Sequence, residues 1–198
     1  MTHSGKVHLI IGPMFAGKTS FMLAHIETYC RSHKKCAIIK HARDTRYTEE
    51  ANCICTHNGC ANLLREIVCT SANVLSRDLI AHDIEVVGID EAQFFATDAE
   101  SAREMANVID EWCLSGRIVI CAGLDTDWMR EPFPYLAPVM SRADRITKLR
   151  ARCECGAAAS FSARRNIRVA DFANPVGGSE KYVACCRACY CDAKNMHS

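Results

Sequence analysis

Residues Gly12-Pro13-Met14-Phe15-Ala16-Gly17-Lys18-Thr19 fit G-x-x-x-x-G-K-[ST] and follow the apolar run Val7-His8-Leu9-Ile10-Ile11. A glycine-rich loop between a buried strand and a helix turns successive backbone N–H groups inward, where they hold phosphate oxygens beside the positive helix end. In such a loop Lys18 reaches the β- and γ-phosphates of a nucleoside triphosphate, and the Thr19 hydroxyl sits on Mg²⁺. A second chemical stretch, Asp90-Glu91-Ala92-Gln93-Phe94-Phe95, ends the apolar run Val86-Val87-Gly88-Ile89. An acid in the place of Asp90 commonly organises Mg²⁺, and Glu91, one residue into the cleft, is placed to take a proton from an attacking hydroxyl.

The chain carries 14 cysteines, and Cys153, Cys155, Cys185, Cys186, Cys189 and Cys191 crowd the last third. Zinc sites converge about four thiolates, and two close pairs on separate turns supply them. Cys186-x-x-Cys189 is a standard half-site. Cys153-x-Cys155 is a shorter partner, so these residues form the expected ligand set for a structural Zn²⁺. Cys185 and Cys191 leave an exchange of ligands open, and a cluster of reduced thiols is the rival reading. The cysteines of the first two thirds read as free thiols acting mostly as small core residues.

Elements must position these groups. The expected strands are Val7–Ile11, Cys36–Lys40, Glu66–Cys69, Glu85–Ile89 and Arg117–Ala122, with helices over Lys18–His33, Asn73–His82 and Asp98–Leu114. Ala102, Met105, Ala106, Ile109 and Trp112 recur at helical intervals in the last helix. Near-continuous apolar strands alternating with helices predict a P-loop NTPase-like α/β fold, a mainly parallel sheet flanked by helices. Residues 41–62 are polar and poorly periodic, and read as a long functional loop or hairpin. After about Ala151 cysteine pairs and glycines predict a small β-rich module, which divides the chain into 1–150, 151–192 and a tail, 193–198.

Hydrophobic residues make up 49% of the chain and charged residues 24%, as in an ordinary globular protein. A formal net charge of +1 argues against nucleic acid or an anionic membrane as the main partner. No apolar run approaches the roughly 20 residues that span a bilayer. The polar start, Met1 to Lys6, does not read as a signal peptide, so an intracellular, cytoplasmic location is expected. Asp-Glu-Ala-Gln also resembles the acidic box of helicases. Those enzymes generally need two such domains, and the sequence shows no second one. A P-loop ATPase with a zinc ribbon stays as an alternative.

Several motifs in one order resemble the type II thymidine kinases, the class of the cytosolic vertebrate, poxvirus and many bacterial enzymes. They are the loop at 12–19, Lys40 to Tyr47, Thr56-His57, Asp90 to Phe95, Leu124-Asp125, Arg130 with Pro132-Phe133, and Thr147-Lys148-Leu149. The closing segment Gly177 to Tyr182 followed by Cys186-Arg187-Ala188-Cys189-Tyr190 completes the set. The resemblance implies Mg-ATP-dependent phosphorylation of the 5′-hydroxyl of thymidine, and of deoxyuridine, in pyrimidine salvage. A kinase for another nucleoside such as deoxycytidine is the near alternative.

The resemblance also implies residue roles. Glu91, Lys18 and Arg46 serve catalysis. Gly12 to Thr19, Asp90 and Gln93 bind ATP and its phosphates, with Thr19 and Asp90 on Mg²⁺. Met14, Phe94, Leu124 and Trp128 wall the thymine and sugar, with Trp128 standing where phenylalanine is usual. A lasso-like loop over residues 164–182 closes on the nucleoside, where Val176 and Gly177 act through their backbone and Ser162 and Tyr182 through side chains. Pro175 removes one backbone donor from that loop. Thr126 and Asp127 replace the usual glycine and threonine, and Asp127 adds a negative charge near the pocket. The family forms homo-tetramers or homo-dimers.

Overall fold

The computed structural model describes residues 5–42, 55–56, 59–60, 67–165 and 180–195. The expected roles of Arg46, Val176, Gly177 and Pro175 fall outside them.

The central sheet contains β1 (Lys6–Ile11), β2 (Cys36–His41), β5 (Val68–Ala72), β6 (Val86–Ile89), β7 (Ile118–Gly123) and β8 (Arg145–Lys148). Their order is β5-β2-β6-β7-β1-β8, and every neighbouring pair is parallel. The short strands β3 (Cys55–Thr56) and β4 (Gly59–Cys60) pair antiparallel inside the segment expected to form a loop or hairpin. Two-residue alternation sends the two sides of each strand into separate cores. Leu9, Ile39, Val87, Ile89 and Val119 face the helix α2 (Ala99–Leu114), whereas Ile10, Ile38, Val86 and Ile120 face α1 (Lys18–Arg31). The sheet is therefore buried on both faces, which is why its strands read as continuous apolar runs.

Helix α1 inserts Met22 and Ile26, both fully buried, over Gly88. A Cβ on Gly88 would lie 2.5 Å from the Ile26 Cδ1 atom, so glycine permits this close approach. Helix α2 starts at a capping box. The Asp98 carboxylate accepts the Ser101 N–H at 2.8 Å, and the Ser101 hydroxyl accepts the Asp98 N–H at 3.1 Å. Cys36 and Cys113 behave as core residues, their thiols pushed up to about 12 chiefly by burial.

Two expectations need correction. Residues 73–82 do not form a helix; among them only Arg77–Leu79 make a 3-10 turn. Leu75, Ile80 and Ile84 anchor this segment in the core. The Trp112 indole N–H takes the Arg77 carbonyl at 3.3 Å, and the Arg117 guanidinium takes those of His82 and Ile84. Tertiary donors thus use carbonyls that regular secondary structure would engage. The strand expected from Glu66 is β5, starting at Val68. Strand β8, not anticipated, adds a sixth, half-polar edge beside β1.

Beyond residue 150 two hairpins follow. Strands β9 (Ala151–Arg152) and β10 (Ala158–Ala159) pair antiparallel, as do β11 (Phe161–Arg164) and β12 (Tyr182–Cys185). A final helix, α3 (Ala137–Met140) having come earlier in the chain, is α4 (Arg187–Asn195).

Candidate active site and cysteine centre

Parallel pairing places the C-terminal ends of all six strands along one edge, where open α/β sheets hold ligands. The loop after β1 occupies that edge. Gly12 has φ 147°, and a Cβ there would stand 2.6 Å from the Leu149 carbonyl oxygen. Gly17, at φ 75°, is the N-cap of α1 and offers no side chain to cap its first turn. Inside the loop the Lys18 ammonium donates to the Pro13 carbonyl at 2.8 Å. Phe15 adopts φ 64° and is exposed at the loop's apex.

Strand β6 delivers Asp90, buried and 71 positions from Thr19, to this loop. The Thr19 hydroxyl lies 3.1 Å from each oxygen of the Asp90 carboxylate. The next residue, Glu91, takes the left-handed conformation (φ 50°, ψ 44°) and donates its N–H to Asp90 Oδ1 at 3.0 Å. Such a conformation costs a non-glycine residue about 1–3 kcal/mol and persists where surroundings over-determine it.

Gln93 holds the side chain of Glu91. Its buried side-chain amide donates to Glu91 Oε2 at 2.5 Å and accepts the Leu124 N–H at 3.0 Å. It crosses over Gly123, where a Cβ would come within 2.8 Å of the Gln93 Oε1 atom. Gln93 was expected on the phosphate side. Its side-chain amide reaches Glu91 and the segment carrying Leu124.

Two pairs of the residues expected around the nucleoside are joined across the chain, Met14 with Ser162 and Trp128 with Tyr182. The Met14 N–H donates to the Ser162 hydroxyl oxygen at 3.0 Å, joining the loop after β1 to β11. Trp128 and Tyr182 meet through a residue that sequence reasoning missed. The Arg164 guanidinium lies 5.3 Å from the Trp128 ring and 5.6 Å from the Tyr182 ring. Arg164 follows Ser162 by two positions on β11, so strand alternation was the signal that could have found it. Phe94 contacts the buried His41 ring, with centroids 5.9 Å apart.

Asp127 was expected to add charge near the pocket. Its Oδ1 atom accepts the N–H groups of Met129 and Glu131, both at 2.8 Å. The carboxylate therefore builds the turn around Trp128, a use that Asp makes possible where glycine is absent. Beside it, Asp125 pairs with Lys148 at 2.6 Å, reaching from the end of β7 to the end of β8.

The four expected ligand cysteines converge. The Sγ atoms of Cys153, Cys155, Cys186 and Cys189 all lie within 4.8 Å of one another, and those of Cys155 and Cys186 are 3.7 Å apart. Zn–S bonds of about 2.3 Å in a tetrahedron require sulfur–sulfur separations of about 3.8 Å, so the set fits zinc. The short Cys153-x-Cys155 pair succeeds because it occupies the β9–β10 turn, closed by bonds between Cys153 and Ala157 and between Gly156 and Cys153. Backbone N–H groups of Cys186 and Cys155 draw the Cys153 thiol down to about 6, whereas thiol–thiol hydrogen bonds push Cys189 up. Cys185 takes the other face of β12, packed with Ala163 and Tyr190, and Cys191 is exposed. Neither belongs to the cluster.

Comparison with known proteins accords with this arrangement. The thymidine kinase family model matches residues 5–190. The thymidine kinase of fowlpox virus (strain NVSL) is 39% identical over 191 residues, covering 94% of this chain and 97% of the viral protein. Thymidine kinase 1 of Dictyostelium discoideum is 34% identical over 195 residues, covering 97% of this chain and 80% of that protein. Thymidine kinase a of Arabidopsis thaliana is 36% identical, covering 94% of this chain and 75% of its own length. A match of this extent, carried by relatives from viruses, an amoeba and a plant, means that the chain belongs to the thymidine kinase family.

Proposed function

We propose that the protein transfers the γ-phosphoryl group of Mg-ATP to the 5′-hydroxyl of thymidine, giving thymidine monophosphate and ADP, and that it also accepts deoxyuridine. The observation that carries this reading is the double bond-making of Gln93, which ties the candidate proton acceptor Glu91 to the Leu124 segment of the candidate acceptor pocket. An enzyme that only hydrolysed ATP would have no need to link its base to a nucleoside wall.

In the proposed reaction the 5′-oxygen attacks the γ-phosphorus as the bond to the bridging oxygen of ADP breaks, and the hydroxyl proton passes to Glu91. Phosphoryl transfer depends mostly on positioning and on stabilising charge. The backbone donors of residues 12–19 and the Lys18 ammonium meet the phosphate oxygens, joined by Arg46. Magnesium fits Thr19 and Asp90: oxygens adjacent around Mg²⁺ lie about 3 Å apart, matching the Thr19–Asp90 spacing of 3.1 Å. When bound it would neutralise phosphate charge.

On the acceptor side Met14, Phe94, Leu124 and Trp128 enclose the base and sugar, with Val176 and Gly177 contributing backbone groups and Tyr182 its side chain. Ser162 accepts the Met14 N–H and keeps its own proton to donate to a pyrimidine oxygen. Residues 1–150 form the kinase domain, 151–192 the lasso domain and 193–198 a tail, in a cytoplasmic homo-dimer or homo-tetramer.

Steady-state transfer from Mg-ATP to a panel of nucleosides, with a no-nucleoside control, tests the proposal. Thymidine-dependent ADP release with thymidine monophosphate as product is expected. Preference for deoxycytidine would move the specificity elsewhere in the same architecture. ADP release without any nucleoside would overturn the reading in favour of an ATPase.

A further inference from the structure

The mechanism above leaves Tyr190 unused, although it stands between the cysteine centre and the acceptor wall. It follows Cys189 in α4, and its backbone N–H donates to the Cys186 carbonyl at 3.0 Å, so two ligand cysteines fix its place. The side chain is buried. Its hydroxyl donates to the Trp128 carbonyl at 2.8 Å, across 62 positions of sequence.

The ring supports the same docking. The Arg130 guanidinium lies 4.6 Å from the Tyr190 centroid and 5.6 Å from Phe161, while Arg187 covers Phe161 at 5.0 Å. Arg130 is held at φ 68° within the turn that Asp127 organises. Stacked cations and one hydrogen bond therefore join the turn carrying Trp128 to the helix carrying Cys189. A purely structural zinc site would hold its own hairpin and helix without needing a bond to a carbonyl on the acceptor wall.

We propose that Tyr190 is a positioning residue that transmits the order of the four-cysteine centre to Trp128, so that the metal-loaded centre sets nucleoside affinity. This rests on the thymidine kinase reading of the acceptor pocket. With the four thiolates drawn together, the first turn of α4 is fixed, the Tyr190 hydroxyl stays on the Trp128 carbonyl, and the indole stays beside Arg164 and Tyr182. With the centre open, the turn over residues 126–131 loosens while the start of α1, held through Thr19 to Asp90, does not.

Tyr190→Phe removes one oxygen and keeps the ring. Loss of one neutral hydrogen bond should raise the thymidine KM about five-fold, with ATP KM and zinc content as in the parent. Amide hydrogen exchange should quicken over residues 126–131 and stay unchanged over residues 17–19. Stripping zinc from the parent with a chelator should reproduce that exchange pattern, and stripping Tyr190→Phe should add little. Parent-like exchange over 126–131 in Tyr190→Phe would overturn the proposal. So would equal rises in both KM values, or a loss of zinc, which would assign the hydroxyl to the centre itself. A parent that phosphorylates no nucleoside would strike the functional reading alone, and the exchange data would then decide the relay.

Discussion

Replacing Gln93 by methionine keeps an unbranched side chain of similar length and deletes both ends of the amide bridge. The Leu124 N–H loses its acceptor, and leaving such a donor unpaired costs about 1–3 kcal/mol. Glu91 loses a charge-assisted partner at 2.5 Å. Glu91 is only half-buried, so water recovers part of that bond. A loss of about 2–4 kcal/mol in all should lower the thermal midpoint by roughly 10 °C in a chain of this size. Positioned proton acceptance contributes about 10²–10⁴ in rate, and loosening Glu91 without removing it should take one to two decades from kcat. The assay is differential scanning calorimetry beside steady-state kinetics, with Glu91→Gln as the comparison. That variant should lose most turnover yet stay near the parental midpoint. A Gln93→Met protein with parental kcat would refute the reasoning that this bridge positions Glu91, whatever its stability.

Lys18→Ala should reduce transfer by at least about 10²-fold, the scale of removing one preorganised charge donor; an active variant would count against a phosphate role for Lys18. In Cys186→Ser/Cys189→Ser, zinc content should vanish and thymidine affinity fall more than ATP affinity, both measured on the same preparation. Retention of both would remove the clamp role of the centre. His8 is buried between Phe21 and His25 and bonded to Thr147 at 2.8 Å. Burial lowers its pKa below the ordinary 6.5, with Arg145 and His25 adding to the effect. The unfolded chain therefore takes up a proton below 6.5 that the folded chain resists, so stability is whole above that pH and falls as pH drops through it. Urea unfolding at about pH 7.5 and about pH 5.5 should show this loss, and His8→Gln should flatten it.

Local chemistry was legible in the sequence. The loop at 12–19 needs only neighbours in sequence: glycines for its backbone, an apolar run before it and a helix after it. The strands flanking the site were legible because sheets buried on both faces leave continuous apolar runs, as in Val86 to Ile89. The four-cysteine cluster was legible because two close pairs already approximate half of a tetrahedron each. The segment at 73–82 was not, since its carbonyls are claimed by Trp112 and Arg117, residues far along the chain. Strand β8 escaped because Arg145-Ile146-Thr147-Lys148 is a short, half-polar edge whose identity depends on finding β1 beside it.

Composition, the glycine-rich loop at 12–19, the acidic strand end and the cysteine pairs were thus determined by sequence alone, each through forces acting over a few residues. Tertiary structure alone decided that Gln93 reaches Leu124 and that Arg164 stands beside both Trp128 and Tyr182. It also decided that Cys185 turns away from the centre while Tyr190 reaches from it to Trp128. The contacts of Gln93 with Leu124, of Arg164 with Trp128 and of Tyr190 with Trp128 join residues whose separation in sequence carries no distance information. Strand order, set by how two apolar faces are buried at once, brings them within hydrogen-bonding range.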